Sequence, residues 1–332
     1  MMNSGSEKQR PGEFELIAEL FAPLATAPGA FKLTDDAAVI TPPAGHDLIV
    51  TTDALVEGVH FFANDRPDLI AKKSLRVNLS DLAAKGSTPA GYLLVLSLPG
   101  RIDTDWLRSF AHGLAQDQRE FGVSLLGGDT TATPGALTVA ITAFGHVPAG
   151  KTIRRSGAQV GDLIYVTGTL GDAGAGLACL KEEGGSPSAA DREYLVHRFQ
   201  VPEPRMRLGA ALIGLASSSL DVSDGLLADL DHMAETSAVR IEVEAARLPF
   251  SPALQHLWPD ETQRMLQAAT AGDDYEIAFT APPHRREDIM QAAVDTGTTV
   301  SEIGRVVAGK RVALLDFKGH TIPVKCPGYV HF

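Results

Sequence analysis

The chain has 332 residues, 44% hydrophobic and 21% charged, enough to bury a large core and, by length, to form two domains. Its formal charge of −12 argues against a broad nucleic-acid surface, which needs clustered Lys and Arg, and no stretch approaches the roughly 20 apolar residues that span a bilayer. With only Cys179 and Cys326, far apart, a disulfide framework or cysteine-based zinc site is excluded and a reducing, cytoplasmic setting fits.

Residues 1–11 (MMNSGSEKQRP) are polar and read as a flexible tail rather than a signal peptide. Apolar residues at 14, 16, 17, 20 and 21 predict a helix over 13–21, closed by Pro23. The stretch LTDDAAVITPPAGHDLIVTTDALVEGVHF then predicts two strands, 38–41 and 47–52, with Asp35 and Asp36 before the first and Asp53 after the second. These strands are apolar and β-branched enough to be stable alone, so carboxylates gathered at their ends suggest a cation site. For any single Asp, turn formation is the competing reading. His60 follows Gly58 in a loop, and a lone His more often packs or faces solvent than acts.

A helix is expected from about 67 to 85, stopping at Gly86, with Leu75, Leu79 and Leu82 as its buried stripe. Asp81 sits at the edge of that stripe, where burial demands either a cation or an Arg partner. A strand over 92–96 and a helix capped by Asp103 or Thr104 follow, the helix running to 121. The next strand, 123–126, breaks into GGDTTATPG, where two glycines allow close approach of a ligand and Asp129 stands directly after them. A further strand covers 137–144.

Gly145–Thr152 reads GHVPAGKT and satisfies the phosphate-loop pattern. That pattern holds phosphate only when a helix starts at the Lys, and the following IRRSGA with Gly161 leaves no room for one. The segment therefore reads as a linker, with Arg155 as a donor for phosphate oxygens. Beyond it lie a strand over 162–167 and the turn GTLGDAGAG into a helix over 173–183, either an anion-binding or simply a tight turn. A loop (184–190) and helices over 190–199 and 204–216 lead to SSSLDVSDGLLADLDHM. There Asp221 and Ser223 share one face of a strand and Asp224 enters the turn into a helix, repeating the arrangement around Asp53. AGDDYE then precedes a strand over 277–280, and a helix (283–296) and two strands (300–307 and 311–317) complete the chain.

Seven acids stand out: Asp35, Asp36, Asp53, Asp81, Asp129, Asp221 and Asp224. Mg²⁺ usually takes one or two carboxylates together with phosphate oxygens and water, so this number implies several ions. The pattern points to a nucleotide enzyme whose triphosphate is held through carboxylate–Mg²⁺ contacts.

The motifs DDAAV, TTDALVEGVHF, NLSDLAAKG, GGDT, RSGA-x-x-GD, LDVSDGL and GDDYE, in this order across nearly the whole chain, resemble the thiamine-monophosphate kinase family. That family is grouped with aminoimidazole-ribonucleotide synthetase and selenophosphate synthetase in one ATP-binding superfamily. The resemblance implies an α+β fold of two domains. Residues 12–150 would form a mixed α/β Mg–ATP-binding domain that pairs in a homodimer, and 151–332 an α+β domain completing the ATP and substrate site. It further implies Asp36, Thr51, Thr52, Asp53, Asp81, Asp129, Asp221 and Asp224 as Mg²⁺ ligands. Gly128, Asp129, Arg155 and Ser223 would contact ATP, and His60, Asp273 and Tyr329 the thiamine substrate. Leu33 and Thr34 stand where the family often has glycines, and Ala271-Gly272-Asp273 where it usually has Gly-Gly-Glu.

The implied reaction is transfer of the γ-phosphoryl group of ATP to thiamine monophosphate, giving thiamine diphosphate, the last step of its biosynthesis. No general base is expected, because a phosphate monoester with a second pKa of about 6 is already an anionic nucleophile at neutral pH. Two alternatives remain at this point: another ATP-using enzyme of the superfamily, or a non-catalytic metal- or nucleotide-binding protein.

Overall fold

The computed structural model describes residues 12–183 and 185–329; the expected tail over 1–11 and the last three residues lie outside them. The segment expected as one helix is instead a helical turn α1 (Glu13–Leu16), a π-turn (Ile17–Phe21) and a 3₁₀ turn (Ala22–Leu24). Pro23 sits in the first turn of that 3₁₀ element, where its missing N–H costs nothing, and so continues the winding instead of ending it. A second 3₁₀ segment covers Pro28–Leu33.

The strand expected over 38–41 does not form. Pro42 and Pro43 directly after it lack the N–H groups that a ladder needs, and Val39 is left 59% exposed with its own N–H bonded to Gly29 O. The following strand is correspondingly longer than expected. β1 (His46–Val56) carries Asp53 inside the strand rather than after it.

Next come α2 (Pro67–Ala84), β2 (Thr88–Leu98), α3 (Thr104–Phe121), β3 (Ser124–Ala132) and β4 (Thr138–Pro148). The four strands form one sheet in the order β1-β4-β2-β3, with β2 and β3 parallel. Asp103 caps α3 by accepting the Trp106 N–H at 2.8 Å, and Gly122 ends the helix in a left-handed conformation. Helix α2 buries polar as well as apolar side chains, among them Lys73, Arg76 and Asn78. Arg76 is compensated by Asp117 of α3 at 2.8 Å.

β4 runs on to Pro148 and the chain then turns and stays irregular over 151–154, so no helix starts at Lys151. The phosphate-loop pattern is present without its structure.

The remaining elements are β5 (Leu163–Thr167), α4 (Asp172–Leu180), α5 (Ala189–Gln200), α6 (Met206–Ala211), β6 (Ser218–Asp221), α7 (Leu226–Ser237), β7 (Arg240–Glu244), α8 (Pro252–Leu257), α9 (Glu261–Thr270), β8 (Ile277–Ala281), α10 (Arg286–Thr296), β9 (Val300–Val307) and β10 (Arg311–Leu315). The six strands make a mixed sheet in the order β10-β7-β9-β5-β8-β6, parallel at β10–β7 and antiparallel at β7–β9, β9–β5, β5–β8 and β8–β6.

Strand alternation sorts this sheet's side chains into two cores. Ile164, Val166 and Ala278 face one with Leu226, Leu230 and Met233 of α7; Tyr165, Ile277 and Phe279 face the other with Leu208 and Ile289. Both faces are therefore covered, which explains why β8 reads as a continuous buried run rather than an alternating one. The architecture is α+β with two mixed layers, and the chain divides into two compact units. One comprises the described residues up to 44 with 50–78 and 89–145, and the other 45–49, 79–88 and those from 146 onward. Among the described residues no helix is long and apolar enough to cross a membrane.

Candidate active site

In the first unit, a cleft of about 730 Å³ is lined by Asp35, Asp36, Gly127, Gly128, Asp129 and Thr142, with apolar walls from Phe21, Leu93, Leu126 and Phe144. Asp36 is exposed on the irregular segment after Leu33, and its N–H bonds the Asp35 carboxylate at 2.8 Å. Gly127, Gly128 and Asp129 lie within β3, paired with Leu93, Leu94 and Val95 of β2, rather than at a strand break. Gly128 is required because a Cβ there would run into the Leu94 carbonyl. The structure thus brings Asp36, Gly128 and Asp129 to one opening.

Thr51, Thr52 and Asp53 stand on β1. The Thr52 hydroxyl bonds Ile141 O at 3.1 Å and the Thr142 hydroxyl at 3.0 Å, which links it to a cleft-lining residue. His60 does not line the cleft. It sits in the turn after β1, where its Nδ1 accepts the Val56 N–H at 3.0 Å and its carbonyl accepts from Lys73 at 2.9 Å.

The second unit gathers the other half of the expected residues. Asp221 ends β6 almost fully buried, and its carboxylate accepts the Ser80 hydroxyl at 2.8 Å. Burial first, and the neighbouring Asp81 second, push the Asp221 carboxyl well above its usual range. Lys85, one helical turn after Asp81, pulls it back; burial lowers the Lys85 ammonium, which Asp221 and Asp81 support and Arg155 opposes. Asp81 and Asp221 thus share Lys85 as a positive neighbour, whose charge Arg155 opposes. Arg155 itself is exposed.

The β6–α7 turn joins the rest. Ser223 O accepts the Asp273 N–H at 2.8 Å, and Asp224 O accepts the Tyr329 N–H at 2.8 Å. Both expected substrate residues of this unit are thereby tied to the two expected ligand residues of the turn. Asp273 has a φ of 67° and Tyr275 a φ of 51°, left-handed values that cost energy for side-chain-bearing residues. The strained segment is anchored by the acids that alternate with them. Asp274 is fully buried and accepts the Gly171 and Ala173 N–H groups at 2.6 and 3.2 Å, occupying the N-terminus of α4. The glycine-rich turn before α4 is thus filled by a carboxyl of the protein itself, which burial pushes toward its neutral form. Glu276, also fully buried, receives Arg198 at 2.8 Å, Arg205 at 2.7 Å and the Thr167 hydroxyl at 2.6 Å.

Asp229, in the first turn of α7, takes the N–H groups of Ser223, Asp224 and Gly225 on a single oxygen, each at 3.1 Å. Burial, followed by the charge of Asp224, raises its pKa to about 7 against the lowering effect of those three bonds. The sequence reading gave no role to Ser80, Lys85 or Asp229 and noted Asp274 and Glu276 only as an acidic strand start. An acid five residues after Asp224, in the first turn of the following helix, is a recognisable signal for Asp229. Nothing local marks Glu276, whose partners Arg198 and Arg205 are more than 70 residues away in sequence.

Among the described residues no three His, Cys, Asp or Glu side chains converge as a metal-holding group. The donor chemistry nevertheless suits Mg²⁺. Carboxylate oxygens are its ligands, it needs only one or two of them when phosphate oxygens and water complete the shell, and a buried carboxyl strained by a second acid is relieved by a divalent cation.

Comparison with known proteins divides the chain in two. Residues 34–147 match the family described as AIR synthase related protein, N-terminal domain, and residues 159–316 its C-terminal domain. The thiamine-monophosphate kinase of Caulobacter vibrioides is 43% identical over 326 residues, covering 97% of this chain and 91% of that protein. The crystal structure of thiamine-monophosphate kinase from Stenotrophomonas maltophilia is 40% identical with a TM-score of 0.80, covering 87% and 91% of the two chains. The structure of AaThiL complexed with AMPPCP and TMP is 28% identical with a TM-score of 0.77, covering 98% and 100%. By sequence along nearly its whole length and by fold, the chain belongs to the thiamine-monophosphate kinase family of AIR synthase related proteins.

Proposed function

We propose that the chain carries out the reaction of its family, ATP-dependent phosphorylation of thiamine monophosphate to thiamine diphosphate, by direct in-line transfer assisted by several Mg²⁺ ions. The 43% identity to a thiamine-monophosphate kinase supports the reaction, and the related structure complexed with AMPPCP and TMP supports ATP and thiamine monophosphate as ligands. On this reading Asp36, Thr51, Thr52, Asp53, Asp81, Asp129, Asp221 and Asp224 are the Mg²⁺ ligands. Bound Mg²⁺ would supply charge neutralisation on the triphosphate and the acceptor phosphate.

The chain's own residues hold the two substrates. Gly128 lets the β3 backbone approach the nucleotide, Asp129 faces it from the cleft, and Ser223 and the exposed guanidinium of Arg155 offer donors to phosphate oxygens. Asp273 offers a carboxylate and Tyr329 an aromatic face to the cationic thiazolium ring, with His60 as a further contact. No side chain has to remove a proton, because the acceptor oxygen is already an anion; in-line placement is the remaining requirement. Residues 12–150 would supply Mg–nucleotide and dimer contacts, and 151–332 further nucleotide and substrate contacts.

The observation that carries this reading is the β6–α7 turn, where the carbonyls of Ser223 and Asp224 hold the N–H groups of Asp273 and Tyr329. One turn thereby orders a metal ligand, a nucleotide contact and two substrate contacts. Incubation with ATP, Mg²⁺ and thiamine monophosphate tests it: thiamine diphosphate and ADP should accumulate in equal amounts. ADP without thiamine diphosphate would favour another enzyme of the superfamily, and no turnover with intact ATP binding a non-catalytic protein.

The homodimer belongs to the same proposal. Alternation along β1 turns Leu48 and Val50 outward, and Val50 is 54% exposed. An apolar sheet face of this kind is suited to a second copy. A cytoplasmic setting, where ATP is present and thiols stay reduced, accords with the free Cys179 and Cys326.

A further inference from the structure

We propose that Asp229 is a positioning residue for the phosphoryl transfer, a clip that fixes the β6–α7 turn in the one shape able to serve both substrates. The inference rests on the functional reading above. Its basis is geometric. One carboxylate oxygen of Asp229 accepts three successive N–H groups, from Ser223, Asp224 and Gly225, all at 3.1 Å. Three donors converging on one point fix the backbone over three residues, and with it the directions of the Ser223 and Asp224 side chains and carbonyls.

Those carbonyls pass the constraint on. Ser223 O holds the Asp273 N–H and Asp224 O holds the Tyr329 N–H, so four residues of the proposed site depend on a side chain that touches none of their ligands. Gly225 completes the arrangement, since its φ of 127° and the nearness of the Thr270 carbonyl leave no room for a Cβ. Asp229 itself is 5% exposed and sits in the first turn of α7, whose Leu226, Leu227 and Leu230 are locked in the core. The clip is therefore mounted on a rigid element. A group with this placement acts as outer-shell ligand supports do, by orienting the groups that bind.

The test compares Asp229→Leu, Asp229→Asn and Val243→Ala, the last a buried truncation in β7 that serves as a stability control. For each, the Mg²⁺ concentration giving half-maximal rate, the KM for both substrates, the melting temperature and amide hydrogen exchange over 222–226 are measured. Leucine removes the acceptor, so Mg²⁺ half-saturation should rise roughly 10–100-fold, with both KM values raised and faster exchange in the turn. Asparagine keeps one neutral acceptor and should fall between wild type and leucine. Val243→Ala should lower the melting temperature without moving Mg²⁺ half-saturation.

Unchanged Mg²⁺ half-saturation and turn exchange in Asp229→Leu, despite a lowered melting temperature, would reduce Asp229 to a fold-stabilising residue and overturn the proposal. If Asp229→Leu does not fold, Asp229→Asn decides. A rise of about threefold or more in Mg²⁺ half-saturation supports the clip, and wild-type values overturn it. If the wild-type protein makes no thiamine diphosphate, the functional reading fails and hydrogen exchange alone judges the clip: faster exchange over 222–226 in Asp229→Asn supports it, and unchanged exchange overturns it.

Discussion

Asp221 shows how one residue separates function from stability. Its carboxyl is buried beside Asp81, and both effects oppose ionisation, so the metal-free protein carries this acid at a cost. Asp221→Asn keeps an oxygen to accept the Ser80 hydroxyl while removing the charge. The expected outcome is a loss of activity of at least about a hundredfold with a melting temperature, measured in EDTA, equal to or above wild type. A variant that melts lower yet turns over normally would show that the acid serves the fold alone. Tyr329 gives a second single-residue test, because its N–H is anchored to Asp224 O while the residue is 54% exposed. Tyr329→Ala should weaken thiamine monophosphate by roughly 1–2 kcal/mol and leave ATP affinity nearly unchanged, as isothermal titration with each ligand would report. Equal losses for both would mean that the ring only packs. Asp221 and Asp224 were legible in the sequence because LDVSDGL places them three residues apart at a strand end. Their supports were not, since Ser80 reaches Asp221 across 141 residues.

At the scale of elements, the apolar pattern located α2, α3, β5, β8 and β9 closely, α3 through one buried face and β5 and β8 as short runs buried on both faces. It failed where the backbone chemistry overruled the side chains. Residues 38–41 have strand-forming side chains, but the two prolines behind them deny the ladder its donors. The short β7, α8 and α9 escaped, α9 because it starts on an Asp260 cap that a loop would share. The segment after β4 is the converse case, a motif without its element. Lys151 starts no helix and lies exposed, so Lys151→Ala should lower kcat/KM by less than about tenfold, or about 1.4 kcal/mol. A thousandfold loss in steady-state kinetics would return the phosphate to that loop.

Across the whole molecule, the buried acids give stability an uncommon pH dependence. Burial raises Asp274 well above its usual range, and the Gly171 N–H only partly offsets it. A carboxyl whose folded pKa exceeds its unfolded value of about 4 binds more protons in the folded state, so stability falls as pH rises from about 4 through the folded pKa. Glu276 has the opposite sign. Burial raises it, but Arg205 and Arg198 outweigh burial and hold it low, so its contribution is present above the unfolded value of about 4.3 and is lost only as pH falls through the lower folded pKa. Metal-free protein should therefore melt higher near pH 5.5 than at pH 8, and Asp274→Asn should flatten that slope; a melting temperature that climbs steadily to pH 8 would contradict it. At the same scale, the proposed homodimer through the outward face of β1 predicts that Val50→Lys sediments as a monomer with its secondary structure intact, and a variant that stays dimeric would place the interface elsewhere.

The central claim is that the phosphate of thiamine monophosphate attacks ATP directly, with the protein's acids and backbone placing the two and no side chain carrying the phosphoryl group. The stereochemical course at the γ-phosphorus tests this most directly, using ATP made chiral at that position with three oxygen isotopes. A single in-line displacement predicts thiamine diphosphate with inverted configuration at its terminal phosphorus. Retention would require two displacements and a phosphorylated group on the enzyme, and would contradict the account.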